Sequence, residues 1–282
     1  MRLMAAQERF ALRFWGVRGT VACPGEATLR YGGNTSCIEV VCGTQRLLFD
    51  AGTGIRALGR DMVAGGVPVD AHLFLTHTHM DHISGLPFFR PAYGSDHRFD
   101  IWAGHLLPQG KRIEPTLAKF MEPAFFPVPL EIMRPCVRFH DFAAGEPLDP
   151  APGVRIETLP LNHPGGATGY KVQFAGRTAC IVTDTEHVAG RLDDSILQFI
   201  AGSDLVIYDS TYTDAEYPNF VGWGHSTWQE GVRLCRAAGV RRLVPFHHEP
   251  EHDDAFLDAI ANDLEQALPG SPVACEGLVI EL

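Results

Sequence analysis

The sequence predicts a single α/β domain, with boundaries 1–282, in which helices cover packed β-sheets. Its 282 residues are 45% hydrophobic and 20% charged, which is the composition of an ordinary folded globule. The first part of the chain reads as strands broken by glycine-rich turns, whereas the second part alternates strands with helices. No low-complexity linker and no obvious repeat divides the sequence.

Strand-like runs begin the chain, since residues 10–50 contain LRFWGV, SCIEVVCG and RLLFD. Residues 52–66, GTGIRALGRDMVAGG, follow a strand and read as a turn that leads into a short helix. The short apolar run AHLFLT at 71–76 suits a buried strand. Residues 83–135 hold several aromatics and prolines, which predicts a loop-rich insertion with one helix around Pro115–Met121.

Strand signals return in the second part of the chain. The predicted strands are VRIETLPL at 154–161, YKVQFA at 170–175, TACIVTD at 178–184, DLVIYD at 204–209, VRRLVPFHH at 240–248 and the terminal LVIEL. Helical periodicity appears in RLDDSILQFIAG, in STWQEGVRLCRAAG and in AFLDAIANDLEQAL. This alternation favours helices that lie over the faces of sheets.

Composition also bears on the location of the protein. No stretch approaches the roughly 20 uninterrupted apolar residues that a membrane span requires. The N-terminus MRLMAAQERFALRFW lacks the continuous apolar run of a secretory signal. The chain has 7 cysteines, an odd number without CxxC spacing, which favours reduced thiols over a disulfide framework. We therefore expect a cytoplasmic protein with no membrane partner.

The net charge of −11 constrains the partner. Proteins that grip long nucleic acid usually present a basic face, and beyond the pair Arg241 and Arg242 no Lys/Arg cluster appears here. Small anionic substrates fit better, because bound divalent metals would make one spot positive. The sequence therefore predicts a small anionic substrate and no long nucleic acid.

A cluster of metal-ligand side chains follows the apolar run at 71–76. Residues 76–82 read THTHMDH, and His77 and His79 point the same way on an extended segment because they are two positions apart. Asp81 and His82 follow where the strand gives way to a turn. Imidazole and carboxylate suit zinc, manganese or iron. The alternative is a polar turn with solvated histidines. A random sequence, however, would seldom place three histidines and one aspartate within six positions.

The pattern HxHxDH resembles the signature of the metallo-β-lactamase superfamily, and the resemblance covers roughly residues 13–250. It implies an αββα sandwich with two divalent metal ions, zinc in first place and manganese or iron as alternatives. It also implies three further ligands, His163, Asp184 and His247, each directly after a predicted strand. In the implied arrangement, the ligands of one metal are His77, His79 and His163, those of the other are Asp81, His82 and His247, and Asp184 bridges them. The implied chemistry is hydrolysis, in which Asp81 has a catalytic as well as a ligating role.

Asp50, in LLFDAGTG, has two open interpretations. By the resemblance, this early aspartate orients a ligating histidine from behind. Alternatively, its carboxylate bonds the amides of Gly52 and Thr53 within a turn. The two interpretations do not exclude each other.

The segment GHST at 224–227 bears on the reaction. It resembles a motif of ribonuclease Z and related phosphodiesterases, in which the histidine protonates the leaving oxygen while an upstream carboxylate holds it. His225 and Asp209 are the matching positions, which implies a general acid and its partner. The alternative is that Ser226 or Thr227 merely caps the following helix, which leaves His225 unexplained.

Two further features of the sequence bear on the substrate class: one differs from ribonuclease Z, and the other resembles small phosphodiesterases. Ribonuclease Z inserts a long basic arm between the third histidine and the bridging aspartate, whereas His163 and Asp184 are only 21 positions apart, room for a two-stranded hairpin. The opening FWGVRGT…YGGNTSCIEV resembles small bacterial phosphodiesterases that act on cyclic nucleotides or cyclic phosphates. We therefore expect a metal-dependent phosphodiesterase with a small cyclic substrate, and not an enzyme of transfer-RNA processing. The alternative is a lactone or thioester hydrolase on the same metals, and the resemblance further implies a homodimer.

Overall fold

The structure is a computed structural model that describes residues 8–133 and 136–282. Residues 1–7, at the start of the predicted domain, lie outside the described residues. The strands within the described ranges are β1 (Phe10–Gly16), β2 (Cys37–Cys42), β3 (Gln45–Phe49), β4 (Asp70–Leu75), β5 (Arg98–Ala103), β6 (Val137–Asp141), β7 (Leu148–Ala151), β8 (Val154–Leu161), β9 (Ala167–Phe174), β10 (Arg177–Val182), β11 (Leu205–Asp209), β12 (Leu243–Phe246) and β13 (Val279–Glu281). The α-helices are α1 (Ile55–Ala64), α2 (Met80–Ile83), α3 (Ile113–Phe120), α4 (Asp194–Ile200), α5 (Trp228–Ala238) and α6 (Asp254–Ala267).

The strands form two mixed sheets. The first has 7 strands in the order β13-β1-β2-β3-β4-β5-β6, and the second has 6 in the order β12-β11-β10-β9-β8-β7. Strands β3 to β6 run parallel to one another, as do β10, β11 and β12. The carboxyl ends of these parallel strands therefore meet along one edge of each sheet, where loops can bring polar side chains together.

Three apolar clusters define the layers. The two sheets face each other across one cluster, to which Phe14 and Phe49 contribute from the first sheet and Val172 and Ile207 from the second. On the outer face of the first sheet, α1 and α3 bury side chains such as Leu58. The outer face of the second sheet is covered by α4, α5 and α6. The predicted αββα sandwich is thus confirmed.

One prediction about secondary structure is wrong. Residues 83–135 are not simply a loop-rich insertion, because they contain strand β5, which pairs in parallel with β4 and β6. The polar Asp100 within RFDIWA obscures the strand in the sequence. In the structure its carboxylate lies 2.5 Å from Nε2 of His140 on β6, so the ion pair is satisfied across the two strands.

Two other predictions concern the cysteines and the absence of a membrane-spanning segment. All seven cysteines are free thiols, and Cys37, Cys42 and Cys180 are buried among the sheets. Within residues 8–133 and 136–282, none of the helices combines the length and apolarity needed to cross a lipid bilayer.

Candidate active site

Polar side chains gather where the strands of both sheets end. Asp50 follows β3, His77 follows β4 by one residue, His163 follows β8, Asp184 follows β10 and His247 follows β12. Strands β3 and β4 are parallel, as are β10, β11 and β12, and β8 runs in the same direction as β10 because both are antiparallel to β9. The carboxyl ends of these strands therefore meet at one edge of the sandwich. The order of the two sheets therefore assembles residues that are far apart in the sequence.

The backbone is strained at the same edge. Among the described non-glycine residues, positive φ angles occur at Thr20, Asp50, Asp184 and His247, all in or beside the cluster, and otherwise at Ala175. A left-handed conformation in a residue with a side chain costs of order 1–3 kcal/mol, and it persists only where the surroundings enforce it. Strain concentrated at one polar edge is typical of a functional site.

Three histidines form the first half of the cluster. One ligand atom from each of His77, His79 and His163 lies within 4.8 Å of the other two. Nδ1 of His79 and Nε2 of His163 are 3.1 Å apart. His77 is buried, and its Nε2 has no hydrogen-bond partner.

Two carboxylates and two histidines form the second half. Oδ2 of Asp81 lies 3.2 Å from Nε2 of His82 and 3.1 Å from Nε2 of His247. The Asp184 carboxylate stands between the halves, 3.3 Å from His82 and 3.4 Å from His247 on one side and 3.7 Å from His77 and 3.9 Å from His163 on the other. The structure thus brings all seven predicted ligands together in one cluster.

These residues fit divalent metal ions. The unpartnered Nε2 of the buried His77 is an atom whose burial is costly unless something coordinates it. Nε2 of His82 and Nε2 of His247 lie 3.2 Å apart, and both lie beside the carboxylate of Asp81, so imidazole and carboxylate donors converge on one point. Burial lowers the pKa of His77, His79 and His163, which keeps these imidazoles in the neutral form that binds metals.

Asp50 lies behind the cluster. Its Oδ2 accepts a hydrogen bond of 2.7 Å from Nδ1 of His82, and its Oδ1 accepts one of 2.8 Å from the amide of Thr76. The amides of Gly52 and Thr53 donate instead to the Ser36 carbonyl and to Thr35 Oγ1. The carboxylate therefore orients the His82 ring with Nε2 toward the cluster, and the alternative of a turn carboxylate is not what the structure contains.

We expect replacement of Asp50 by asparagine to weaken metal binding by about 10- to 100-fold, the usual effect of losing such a partner. The new amide group presents N–H to Nδ1 of His82, which then has to accept, and the ring proton moves to Nε2 where it blocks coordination. Zinc titration by calorimetry measures the change. Asp100→Asn, which removes the partly buried carboxylate that contacts His140, is the matched control. Unchanged zinc affinity in Asp50→Asn would contradict this role.

His225 lies beside the cluster, together with Asp209. Its Nδ1 is 2.9 Å from Oδ2 of the fully buried Asp209 and 3.9 Å from Oδ1 of Asp184, and its ring stacks on His247. Burial alone would lower the pKa of His225, but the carboxylates of Asp209, Asp184 and Asp81, Asp209 foremost, together outweigh it and raise the pKa to about 9. The contact between His225 and Asp209, open in the sequence, is therefore present.

The residues after His225 have separate tasks. Thr227 is the N-cap of α5, where its hydroxyl accepts a hydrogen bond from the amide of Glu230 at 3.0 Å. Ser226 does not cap the helix, because its hydroxyl lies 2.8 Å from Nδ1 of His187 and 3.0 Å from the hydroxyl of Tyr208. Helix capping thus accounts for Thr227, whereas His225 faces the cluster.

Thr20 and Thr211 hold side chains of the cluster in position, and neither contact has a signal in the sequence. The amide of Thr20 donates a 2.7 Å hydrogen bond to Oδ2 of Asp81. Thr211 Oγ1 lies 2.8 Å from Asp209 and 3.0 Å from Nδ1 of His247, so one hydroxyl links the carboxylate beside His225 to a predicted ligand. Gly19 is required next to Thr20, because a Cβ at this position would collide with the His247 ring.

Glu186 holds the loop that precedes His225. Its carboxylate accepts hydrogen bonds from the amides of Gly222 at 2.9 Å and Gly224 at 2.7 Å. The carbonyl of Gly224 in turn accepts from Nδ1 of His163 at 2.8 Å. A Cβ at Gly224, where φ is +87°, would collide with the same ring. One carboxylate therefore fixes the loop that orients His163 and leads into His225.

We expect Glu186→Ala to lower turnover by about 10- to 100-fold and to weaken metal binding by the group that contains His163. Without the carboxylate, the loop amides lose their acceptors and the Gly224 carbonyl no longer holds the His163 ring. Metal stoichiometry and kcat are measured together. Glu157→Ala, which removes a carboxylate that accepts from Gln173 on the neighbouring strand, is the control. Full metal content with normal kcat would refute the proposed role of Glu186.

Comparison with known proteins identifies the family of this chain. The family described as the beta-lactamase superfamily domain matches residues 45–248. The chain belongs to the beta-lactamase superfamily. The resemblance predicted from HxHxDH is thus confirmed.

Individual members of the superfamily align over most of the chain. A ribonuclease Z from Myxococcus xanthus strain DK1622 is 25% identical, over 88% of this chain and 92% of that protein. The metallo-beta-lactamase fold protein YhfI from Bacillus subtilis has a TM-score of 0.71 at 19% identity, with 98% of this chain and 100% of that chain covered. The short form of human tRNase Z has a TM-score of 0.66 at 20% identity, with 96% and 98% covered. The ribonuclease Z relatives support the expected class, a metal-dependent phosphodiester hydrolase.

One prediction about partners is wrong. The acidic balance and the short connection from His163 to Asp184 predict that long nucleic acid is excluded, yet superfamily members that match most of the chain are ribonucleases. A net charge of −11 sums the whole surface, whereas a phosphodiester meets only the residues around one cleft. Overall charge therefore does not decide between a small phosphodiester and an RNA.

Proposed function

We propose that this superfamily member is a phosphodiesterase that uses a dinuclear metal centre and a histidine general acid. The observation that carries the proposal is the pair His225–Asp209, which lies against the predicted bridging residue Asp184. In this proposal, His77, His79 and His163 would hold one ion, Asp81, His82 and His247 would hold the other, and Asp184 would contribute to both. Two bound divalent ions would supply an activated water and stabilise the charge that develops on phosphate oxygens.

The chain's own residues account for the proton transfer. Because Asp209 accepts at Nδ1 of His225, the proton available to a leaving group sits on Nε2. Asp209 is completely buried and also accepts from Thr185 and Thr211, so its position is fixed. An alkoxide that leaves a phosphodiester needs such a proton, whereas a thiolate leaves without one. The pair thus favours a phosphodiester over the thioester alternative.

We further propose that the substrate is a small phosphodiester, with cyclic nucleotides and cyclic phosphates first. What supports this proposal is the opening FWGVRGT…YGGNTSCIEV, which resembles small bacterial phosphodiesterases that act on cyclic nucleotides or cyclic phosphates. We also propose zinc as the metal, because imidazoles dominate the cluster, and the cytoplasm as the location, because all seven thiols are free.

The test is hydrolysis by the zinc-loaded protein of bis-p-nitrophenyl phosphate, a thioester, a lactone, a panel of cyclic nucleotides and an RNA with a 3′ extension. We expect cleavage of bis-p-nitrophenyl phosphate that a chelator abolishes and added zinc restores, together with turnover of at least one cyclic nucleotide. Turnover of the thioester or lactone alone would refute the phosphodiesterase. Cleavage of the RNA without any cyclic nucleotide would retain the phosphodiesterase and refute the small substrate.

A further inference from the structure

An apolar groove of about 570 Å³ begins at the chain segment that carries the predicted ligands. One wall is formed by Thr78 and Met80, which alternate in sequence with His77, His79 and Asp81. The opposite walls come from the segment after α2 and from α3 and the loop that follows it. An occupant of the groove would therefore contact the chain segment that carries His79, a residue that is itself exposed.

The groove exposes large apolar side chains. Met80 is 66% exposed, Phe88 is 53% exposed and Phe125 is 71% exposed. Phe88 packs edge-on against Phe126, with ring centroids 5.5 Å apart, so the aromatic wall is ordered. Adjoining exposed apolar residues in one concavity are typical of a binding site, whereas scattered ones are not.

The charge of the residues that line the groove is compatible with an anionic ligand. Among the described residues that line it, Lys119 is the charged one. In a chain with a net charge of −11, a groove with one lysine and no carboxylate repels an anion less than most of the surface does. Its volume lies within the range of small-molecule sites, roughly 300–1,000 Å³.

We propose that the groove is a specificity subsite that binds the planar aromatic or heterocyclic group of a phosphodiester while the phosphate lies at the metal cluster. This inference rests on the proposed phosphodiesterase function and names its substrate class. Phe125 and Phe88 supply apolar faces on which a ring can stack, in a manner tolerant of the ring's identity. Met80 provides an adaptable apolar contact next to His79.

The experiment compares phenyl phosphate with methyl phosphate, two ligands that share the phosphate and differ only in the ring. Their binding to the zinc-loaded protein is measured by calorimetry, so the result does not depend on turnover of any substrate. We expect phenyl phosphate to bind at least about tenfold more tightly, and Phe125→Ser to remove most of this preference while the affinity for methyl phosphate stays constant. Leu29→Ser, at a residue of matching exposure (75%) outside the groove, should leave the preference unchanged.

Equal affinities for the two phosphates, or no binding of either, would overturn the proposal. So would an unaltered preference in Phe125→Ser, whose melting temperature should match that of the parent since the side chain is 71% exposed.

Sedimentation tests whether a second copy of the chain covers the groove. If the parent is a dimer and Phe88→Ser with Phe125→Ser makes it monomeric, a second copy covers the groove and no substrate ring can enter it. If the phenyl preference is present but bis-p-nitrophenyl phosphate is not cleaved, the proposed function fails and the subsite does not.

Discussion

Replacement of His225 by alanine is expected to slow the cleavage of a cyclic nucleotide by about 10²- to 10⁴-fold while both metals stay bound. The ring is held by Asp209 at 2.9 Å, and it is no member of either predicted ligand trio. Its loss therefore removes the proton donor and leaves the donors of the metal cluster in place. Asp184, the nearest predicted ligand, lies 3.9 Å from Nδ1 and keeps its contacts with His82 and His247.

The leaving group separates acid catalysis from positioning. A cyclic nucleotide releases an alkoxide that needs a proton, whereas p-nitrophenolate departs without one. We therefore expect His225→Ala to lower kcat for bis-p-nitrophenyl phosphate far less than kcat for the cyclic nucleotide. His140→Ala, which removes the partner of Asp100 on β6, is the control. An equal loss on both substrates would exclude His225 as the acid, as would unchanged turnover of the cyclic nucleotide.

Much of the candidate site could be predicted because its signals are local. In THTHMDH, the position of each side chain follows from the end of β4 and the turn into α2, so four predicted ligands lie within one short segment. The resemblance to the superfamily implies His163, Asp184 and His247, and each of them follows a predicted strand. The hydrophobic pattern locates these strands, whereas the order in which they pair is apparent only in the folded chain.

The supporting contacts could not be predicted, because they join loops that only the sheet order brings together. Glu186 bonds amides 36 and 38 positions later in the chain, and Thr20 bonds a carboxylate 61 positions later. In each case, one partner is a backbone amide, which carries no sequence signal. The same is true of the groove, whose walls at Met80 and Phe125 are set by the path of the chain between β4 and α3 and beyond.

The strand β5 shows a different limit. Its residues alternate between buried and partly exposed positions, as a strand should, but Asp100 and the neighbouring prolines and glycines of the segment suggest a loop. The compensating residue His140 lies 40 positions away on β6. A partly buried aspartate fits a strand only where a partner compensates its charge, and the sequence does not show that His140 is this partner. The strand is therefore apparent only in the folded chain.

Replacement of Asp184 by asparagine is expected to lower the metal content from two ions toward one or none per chain and to reduce phosphodiester cleavage by at least about 10³-fold, equivalent to roughly 4 kcal/mol in the barrier. The carboxylate is completely surrounded by imidazoles, with His82, His247, His77 and His163 all within 3.9 Å. Burial would raise the pKa of Asp184, but His247 and His82 hold it well below its usual range, so it remains an anion. The amide of asparagine offers one neutral oxygen in its place, which cannot balance the charge of two cations.

Asparagine is the appropriate replacement, because φ at Asp184 is +60° and asparagine tolerates this conformation better than most residues. The backbone after β10 should therefore keep its path, and a loss of metal reports on the carboxylate itself. Asp204→Asn is the matched control, since Asp204 accepts a hydrogen bond from the amide of Thr178 near the opposite end of β10. Metal content is measured by elemental analysis after gel filtration, alongside turnover. Retention of two ions in Asp184→Asn would show that this carboxylate is not shared between the metals, and the grouping of the remaining six ligands into two independent trios would then have to hold both ions unaided.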